Sequence, residues 1–253
     1  MMALTAPYKR TIRPFLNGGY QPSNGSMSFV RMDNYARKPR AYVRGFEILQ
    51  REVRNFFEYV EPSDNNMKVY SEIIGKLLTS ACFEVESNLK AILKENLYSK
   101  VEKDMNMNDY FKVEASHHLS KYEVLLPEWT GDKNVIRPFE AWASAGSLKW
   151  YQDYNKYKHD RVANAESANF ENLLNAWSGN FVLLSSQFFD TEFSVDAEVI
   201  GFAPDFDENE YNHGIGGYLK IKYPNDWLDD EKYEFALSIS NWNDSNFCQA
   251  YSY

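Results

Sequence analysis

The densest grouping of chemically capable side chains is Trp150-Tyr151-Gln152-Asp153-Tyr154-Asn155-Lys156-Tyr157-Lys158-His159-Asp160-Arg161. On a helix, Asn155 and His159 stand one turn apart on one face, with Tyr151 a turn earlier and Lys158 at the border. Histidine is the side chain best suited to proton transfer near neutral pH, and Asn can orient an imidazole or a bound phosphate. Lys158 and Arg161 supply the charge to hold a phosphate. The same run equally suits the end of a helix, where Lys, His and Arg are favoured by the backbone dipole. The spacing leaves both readings open.

Other polar clusters carry less. Glu84 and Asn88 sit one turn apart beside an apolar stripe, as a solvated flank, a satisfied pair at the core edge, or a polar group facing a site. Glu114-x-x-His117-His118 resembles a metal pair, but adjacent residues point to different faces of a helix, so a surface pair is expected. His213-Gly214-Ile215-Gly216-Gly217 lacks the spacing of a phosphate loop and reads as a hairpin loop. Asp205-Phe206-Asp207-Glu208-Asn209-Glu210 has oxygens for calcium but not the spacing, and reads as a solvated acidic loop. With 4 His, 2 Cys and no Cys-x-x-Cys, a Cys/His zinc framework is excluded. No metal and no cofactor are expected.

The elements that must position these residues follow from apolar spacing. Tyr42, Phe46, Leu49, Val53, Phe56 and Val60 recur every three or four residues and predict a helix over 39–59, ended by Glu61-Pro62. Ile73, Leu77, Ala81, Val85, Leu89 and Ile92 predict a long second helix over 67–98. Asn108-Asp109 is expected to cap a short helix reaching Ser120, and residues 122–127 to be extended. Arg137-Pro138-Phe139 is expected to open another helical turn. A third long helix is expected over 147–160 and a fourth over 167–189, capped by Asn164 or Ser167. The fourth is so apolar that it belongs at the centre of a bundle. Residues 195–202, 217–223 and 233–239 read as short strands. The expected fold is therefore mainly α, a helical bundle with a small antiparallel β appendage at the C-terminus. Its parts are an irregular basic arm (1–36), the bundle (37–190) and an acidic β-containing appendage (191–253).

The run Tyr154-Asn155-Lys156-Tyr157-Lys158-His159-Asp160-Arg161 resembles the signature of the HEPN superfamily, all-α and often dimeric domains. That signature is an Arg, commonly a following Asn or other polar residue, then three or more residues and a His. Asn155 and His159 match, whereas Tyr154 stands where the family has its Arg. Residues 40–190 share the layout of two long helices before the motif and one apolar helix after it. Arg137-Pro138-Phe139 with Tyr-Asn-x-x-Lys-His-Asp-Arg also resembles uncharacterised bacterial proteins. The resemblance implies a defence or toxin-type protein that engages RNA or a nucleotide, as a metal-independent endoribonuclease in many members. His159 would then move a proton while a ribose 2′-OH attacks its own 3′-phosphate. Asn155, Lys158 and Arg161 would serve it, with Tyr151, Tyr154, Glu84 and Asn88 contacting the ligand. The family's missing Arg leaves the phosphate charge to Arg161, Lys158 or a dimer partner. The family also includes non-catalytic interaction modules, in which Lys-His-Asp-Arg would make structural hydrogen bonds. A homodimer and an antitoxin or other partner protein are the implied associations.

Composition bounds these ideas. The chain of 253 residues carries a net charge of −9, which taken globally argues against a nonspecific nucleic-acid binder. The charge is uneven: residues 1–60 sum to +6, 61–190 to −5 and 191–253 to −10. Either the two ends pair or they form different contact surfaces. No apolar run approaches a membrane span, the first residues lack a signal peptide's apolar stretch, and cysteine is scarce, so a cytoplasmic protein without membrane contact is expected.

Overall fold

Residues 170–188 are apolar on nearly every side, and this dictates where they sit. In the computed structural model, which describes residues 2–20, 27–191, 193 and 211–253, they form the central helix α6 (Phe170–Phe188), with Trp177, Phe181 and Leu184 fully buried. Its first turn is capped by Asn169, whose Oδ1 accepts from the Asn172 amide at 3.1 Å, rather than by Asn164 or Ser167. Beside it runs α2 (Glu72–Glu95), capped by Ser71. The stripe of α2 is rotated from the expected one at its start: Ile74 is buried and Ile73 is 54% exposed. The two helices run parallel, because Val69 and Tyr70 meet Asn169 and Phe170 at one end and Asn88 meets Asn180 and Gln187 further along.

Two further helices run antiparallel to this pair. The helix α1 (Pro39–Phe56) places Gly45 against Glu84 and stacks Phe46 on Phe181. The helix α5 (Lys149–His159) lies along α2, Tyr151 reaching Glu86 and Tyr157 reaching Gly75. Glu84 and Glu86 point to opposite sides of a helix, so α1 and α5 flank α2 on opposite faces. The predicted helices are therefore present, each shorter than its apolar pattern suggested at one or both ends.

Between α2 and α5 the chain is broken into short pieces. Asn106, not Asn108, caps α3 (Met107–Tyr110), with Asp109 returning a bond to the Asn106 amide. A 3-10 turn leads into α4 (Glu114–His117), which stops where His118 adopts φ 51°. The helix expected to reach Ser120 therefore ends three residues early.

The sheet is antiparallel, in the order β2 (Val135–Ile136), β1 (Glu123–Leu125), β4 (Lys220–Lys222), β3 (Asn212–His213). Val124 pairs with Ile136 on one side and Ile221 on the other. Two of its strands thus come from mid-chain, and the β part is not built from the C-terminal region alone. Residues 212–222 form the expected hairpin, whose loop packs Gly214 on Phe181 and accepts a bond from Gln50 at Gly216. Residues 233–239 make no strand: Tyr233 bridges Leu4 and Phe15 singly, and Ile239 starts the short α7 (Ile239–Asn243). The segment 195–202 and the acidic loop Asp205–Glu210 lie outside the described residues.

The basic arm is built into the core. Arg10 is fully buried: it pairs with Glu95 at 2.8 Å, donates to Gln187 at 2.7 Å and to the Arg37 carbonyl at 2.7 Å. Arg13 donates to the carbonyls of Ser116 and Glu231 and lies over the rings of Tyr8, Trp227 and Tyr251. Tyr233 exchanges backbone bonds with Pro14 and Leu16, and Gln249 with Pro7 and Lys9. Among the described residues, the two ends meet through backbone and aromatic contacts rather than through opposite charges. His117 is also buried, not a surface residue. Its Nε2 donates to the Arg10 carbonyl at 2.8 Å, which leaves Nδ1 to accept from Ser116 at 2.6 Å. Burial in this setting pushes its pKa down to about 3.

Candidate functional site: the end of helix α5

The seating of α5 is set by side chains that match across to α2. Glu72, Gly75, Cys82 and Glu86 share one face of α2, and Arg161, Tyr157, Tyr154 and Tyr151 meet that face in reverse order. A Cβ at Gly75 would lie 2.2 Å from the Tyr157 hydroxyl, so glycine there lets the helices close. Tyr151 donates to Glu86 at 2.9 Å, and burial, then the Glu86 carboxylate, raises its pKa. Tyr154 is buried, which pushes its pKa up to about 12, and Lys158 extends over its ring at 5.5 Å. Tyr154 is thus a packed core residue.

On the opposite flank, Asp153 ties α5 to α6. Its carboxylate accepts from Lys149, from Lys156 at 2.8 Å and from Asn172 at 3.2 Å. Burial works to raise its pKa, but these donors overcome that and hold it below the ordinary value. Two of the cations of α5 are committed here.

The helix ends at His159, and Asp160 is extended (φ −145°, ψ 91°). Asp160 closes the next turn, its carboxylate accepting from the Ala163 amide at 3.0 Å and its carbonyl from the Asn164 amide at 3.1 Å. Arg161 turns towards α2 and pairs with Glu72 at 2.5 Å; both side chains are exposed. Asn155 is half-buried and His159 exposed, and neither has a hydrogen-bond partner among the described residues. The run therefore splits. Asp160 and Arg161 serve the structure, while Lys158 and His159 face solvent with Asn155 one turn before.

Glu84 and Asn88 do not join this group. Glu84 faces α1, where burial raises its pKa. Asn88 is buried against α6, donating to Asn180 at 3.1 Å and to the Glu84 carbonyl at 2.9 Å, and accepting from Gln187 at 2.9 Å. Of the alternatives for Asn88, the satisfied polar group is the one observed. The residues that sequence reasoning missed are Glu86, Glu72 and Asp153. Their signal was present for two of them: Glu72 and Glu86 share the α2 face that carries the small residues Gly75 and Cys82. Among the described residues, no three His, Cys, Asp or Glu side chains gather as a metal site, and no helix is long and apolar enough to cross a membrane.

Comparison with known proteins finds no matching family model, no matching curated protein and no matching solved structure. The likeness to the HEPN superfamily is thus a resemblance of sequence alone.

Proposed function

We propose that the protein is a HEPN-like, cytoplasmic, dimeric protein of the bacterial defence or toxin type that engages RNA through the exposed end of α5. The observation that supports this reading most is the exposure of His159 beside Lys158 and Asn155, free of any structural bond among the described residues. A histidine kept in the last turn only to fix the bundle would be buried and paired, as His117 is. In the reaction this site would support, His159 takes the proton of the ribose 2′-OH, the 2′-oxygen bonds to the adjacent phosphorus as the P–O5′ bond breaks, and the departing 5′-oxygen takes a proton from solvent water. Arg161 is the guanidinium nearest in sequence to receive the developing phosphate charge. Its pair with Glu72 is solvent-exposed on both sides, and exposed pairs are worth only about 0–1 kcal/mol, so releasing it costs little.

A second reading, a non-catalytic interaction module, is favoured by two observations: Arg161 is paired, and Tyr154 fills the place where the HEPN signature has its Arg. One experiment separates the two. The protein and a His159→Ala variant are incubated with a mixed RNA pool in EDTA. Cleavage by the protein that falls at least ~100-fold in the variant supports the ribonuclease, the size expected of a general acid or base. RNA binding without cleavage, weakened by Lys158→Gln, supports the binding module. Absence of both binding and cleavage refutes the RNA reading.

A further inference from the structure

We infer that the outward face of α1 is a track for the phosphate backbone of single-stranded RNA. Five of the ten arginines in the chain fall within residues 37–54. Arg40, Arg44 and Arg51 are exposed and recur at four and seven residues, which aligns them along one side of the helix, and the exposed Arg37 lies just before its start. From Arg40 to Arg51 this line is about 16 Å long at ~1.5 Å per residue. Lys38 stands beside its start, and the first turn of α1 holds no acidic residue.

The arginines are also unspent. Among the described residues, Arg40, Arg44 and Arg51 pair with no carboxylate. Elsewhere several surface bases are engaged, Lys68 with Glu171, Lys94 with Glu102, Lys100 with Asp109, Arg137 with Glu123 and Arg161 with Glu72, and the exposed lysines that are not, such as Lys76, Lys103 and Lys133, are scattered rather than aligned on one helix. A protein of net charge −9 that leaves a line of guanidinium groups without partners concentrates positive potential in one place. Guanidinium forks grip phosphate in two-bond geometry, which lysines do not.

The length and chemistry of the line select the ligand. A mononucleotide is too short to reach from Arg40 to Arg51, so an extended polyanion is required. A lipid surface fits poorly, since the apolar side of α1 (Val43, Phe46, Leu49, Val53, Phe56) is buried in the bundle and Ile48, 40% exposed, is the one large apolar group on the arginine side. The choice of RNA among polyanions rests on the function proposed above; the track itself does not.

The test measures binding of a fluorescent mixed-sequence 20-nucleotide RNA by anisotropy, in EDTA, at several KCl concentrations. Three proteins are compared: the full chain, Arg40→Gln/Arg44→Gln/Arg51→Gln, and a control with the same charge change at exposed lysines elsewhere, Lys76→Gln/Lys103→Gln/Lys133→Gln. The arginine triple is expected to lower affinity at least tenfold near 0.1 M salt. It should also flatten the dependence of log K on log salt by about 2, since each lost phosphate contact on a single strand removes ~0.7. The control should change affinity less than about threefold, through long-range charge alone. Equal loss in both triples, or no loss in the arginine triple, overturns the track. Tighter binding to phosphatidylserine vesicles or polyglutamate than to RNA, abolished by the arginine triple, overturns RNA as its occupant. Lys158→Gln in the same assay keeps the two proposals apart. Loss only in the arginine triple leaves the track standing and removes the α5 site as a binding site. Loss only in Lys158→Gln does the reverse.

Discussion

Acidification should destabilise this protein well before its carboxylates are neutralised, and His117 is one reason. In the unfolded chain a histidine titrates near 6.5, whereas in the fold burial pushes His117 down to about 3. Between those values the unfolded state binds a proton that the folded state refuses. Stability is therefore intact above about pH 6.5 and is lost as the pH falls towards 3. Going from pH 7.5 to pH 5 removes about 2 kcal/mol, with a limiting slope of ~1.4 kcal/mol per pH unit. The geometry explains the refusal: the ring is fully buried and the guanidinium of Arg13 lies nearby, and together these outweigh the bond from Nε2 to the Arg10 carbonyl, which favours the protonated ring. The assay is urea unfolding from pH 7.5 to pH 5, for the natural chain and for His117→Gln. Glutamine does not titrate, so the difference between the two curves isolates this residue from the carboxylates and the other histidines. The natural chain should lose about 2 kcal/mol more than the variant over that range. Parallel curves would refute the assignment, and so would a ring NMR titration showing His117 protonated at pH 5.5 in the folded protein.

Two further outcomes follow from packing. Gly75→Ala should destabilise the fold, since overpacking costs about 1–3 kcal/mol against a helical gain of ~1 kcal/mol, and adding Tyr157→Phe should restore part of the loss in thermal unfolding by removing the clashing hydroxyl. Arg10→Met should cost about 3–5 kcal/mol because it strands Glu95 and Gln187, read as a drop in melting temperature on the order of 10 °C.

The long helices were legible because each must bury one face, and residues such as Phe46, Leu89 and Phe181 repeat at the helical period. The strands were not, because each described one is two or three residues long and exists through partners far away, such as Val124 with Ile221. The burial of Arg10, Arg13 and His117 was not legible for a related reason. A charged or polar side chain enters a core when distant groups satisfy it, and Glu95, Gln187 and the carbonyls of Ser116 and Glu231 cannot be seen from local pattern. At the candidate site, the helical spacing correctly set Asn155, His159 and Tyr151 on α5. It could not tell which neighbour each flank of α2 would meet, so Glu84 and Asn88 were grouped with residues they do not approach. It equally could not say that Arg161, free to turn once α5 ends, would turn to Glu72.

The interleaving of residues 4–16 with residues 232–251 has a consequence for how the chain matures. The hydroxyl of Tyr233 bonds the Thr11 carbonyl across a separation of 222 residues. At ~5–20 residues per second, a ribosome needs about ten to forty seconds to bridge that distance. The helices, whose contacts are nearer in sequence, gain their partners during that wait. The first segment, with Phe15 and the guanidinium of Arg13, stays without its final cover until residues 232–251 emerge. Closure of the N-terminal part of the fold thus waits on a segment made more than 200 residues later.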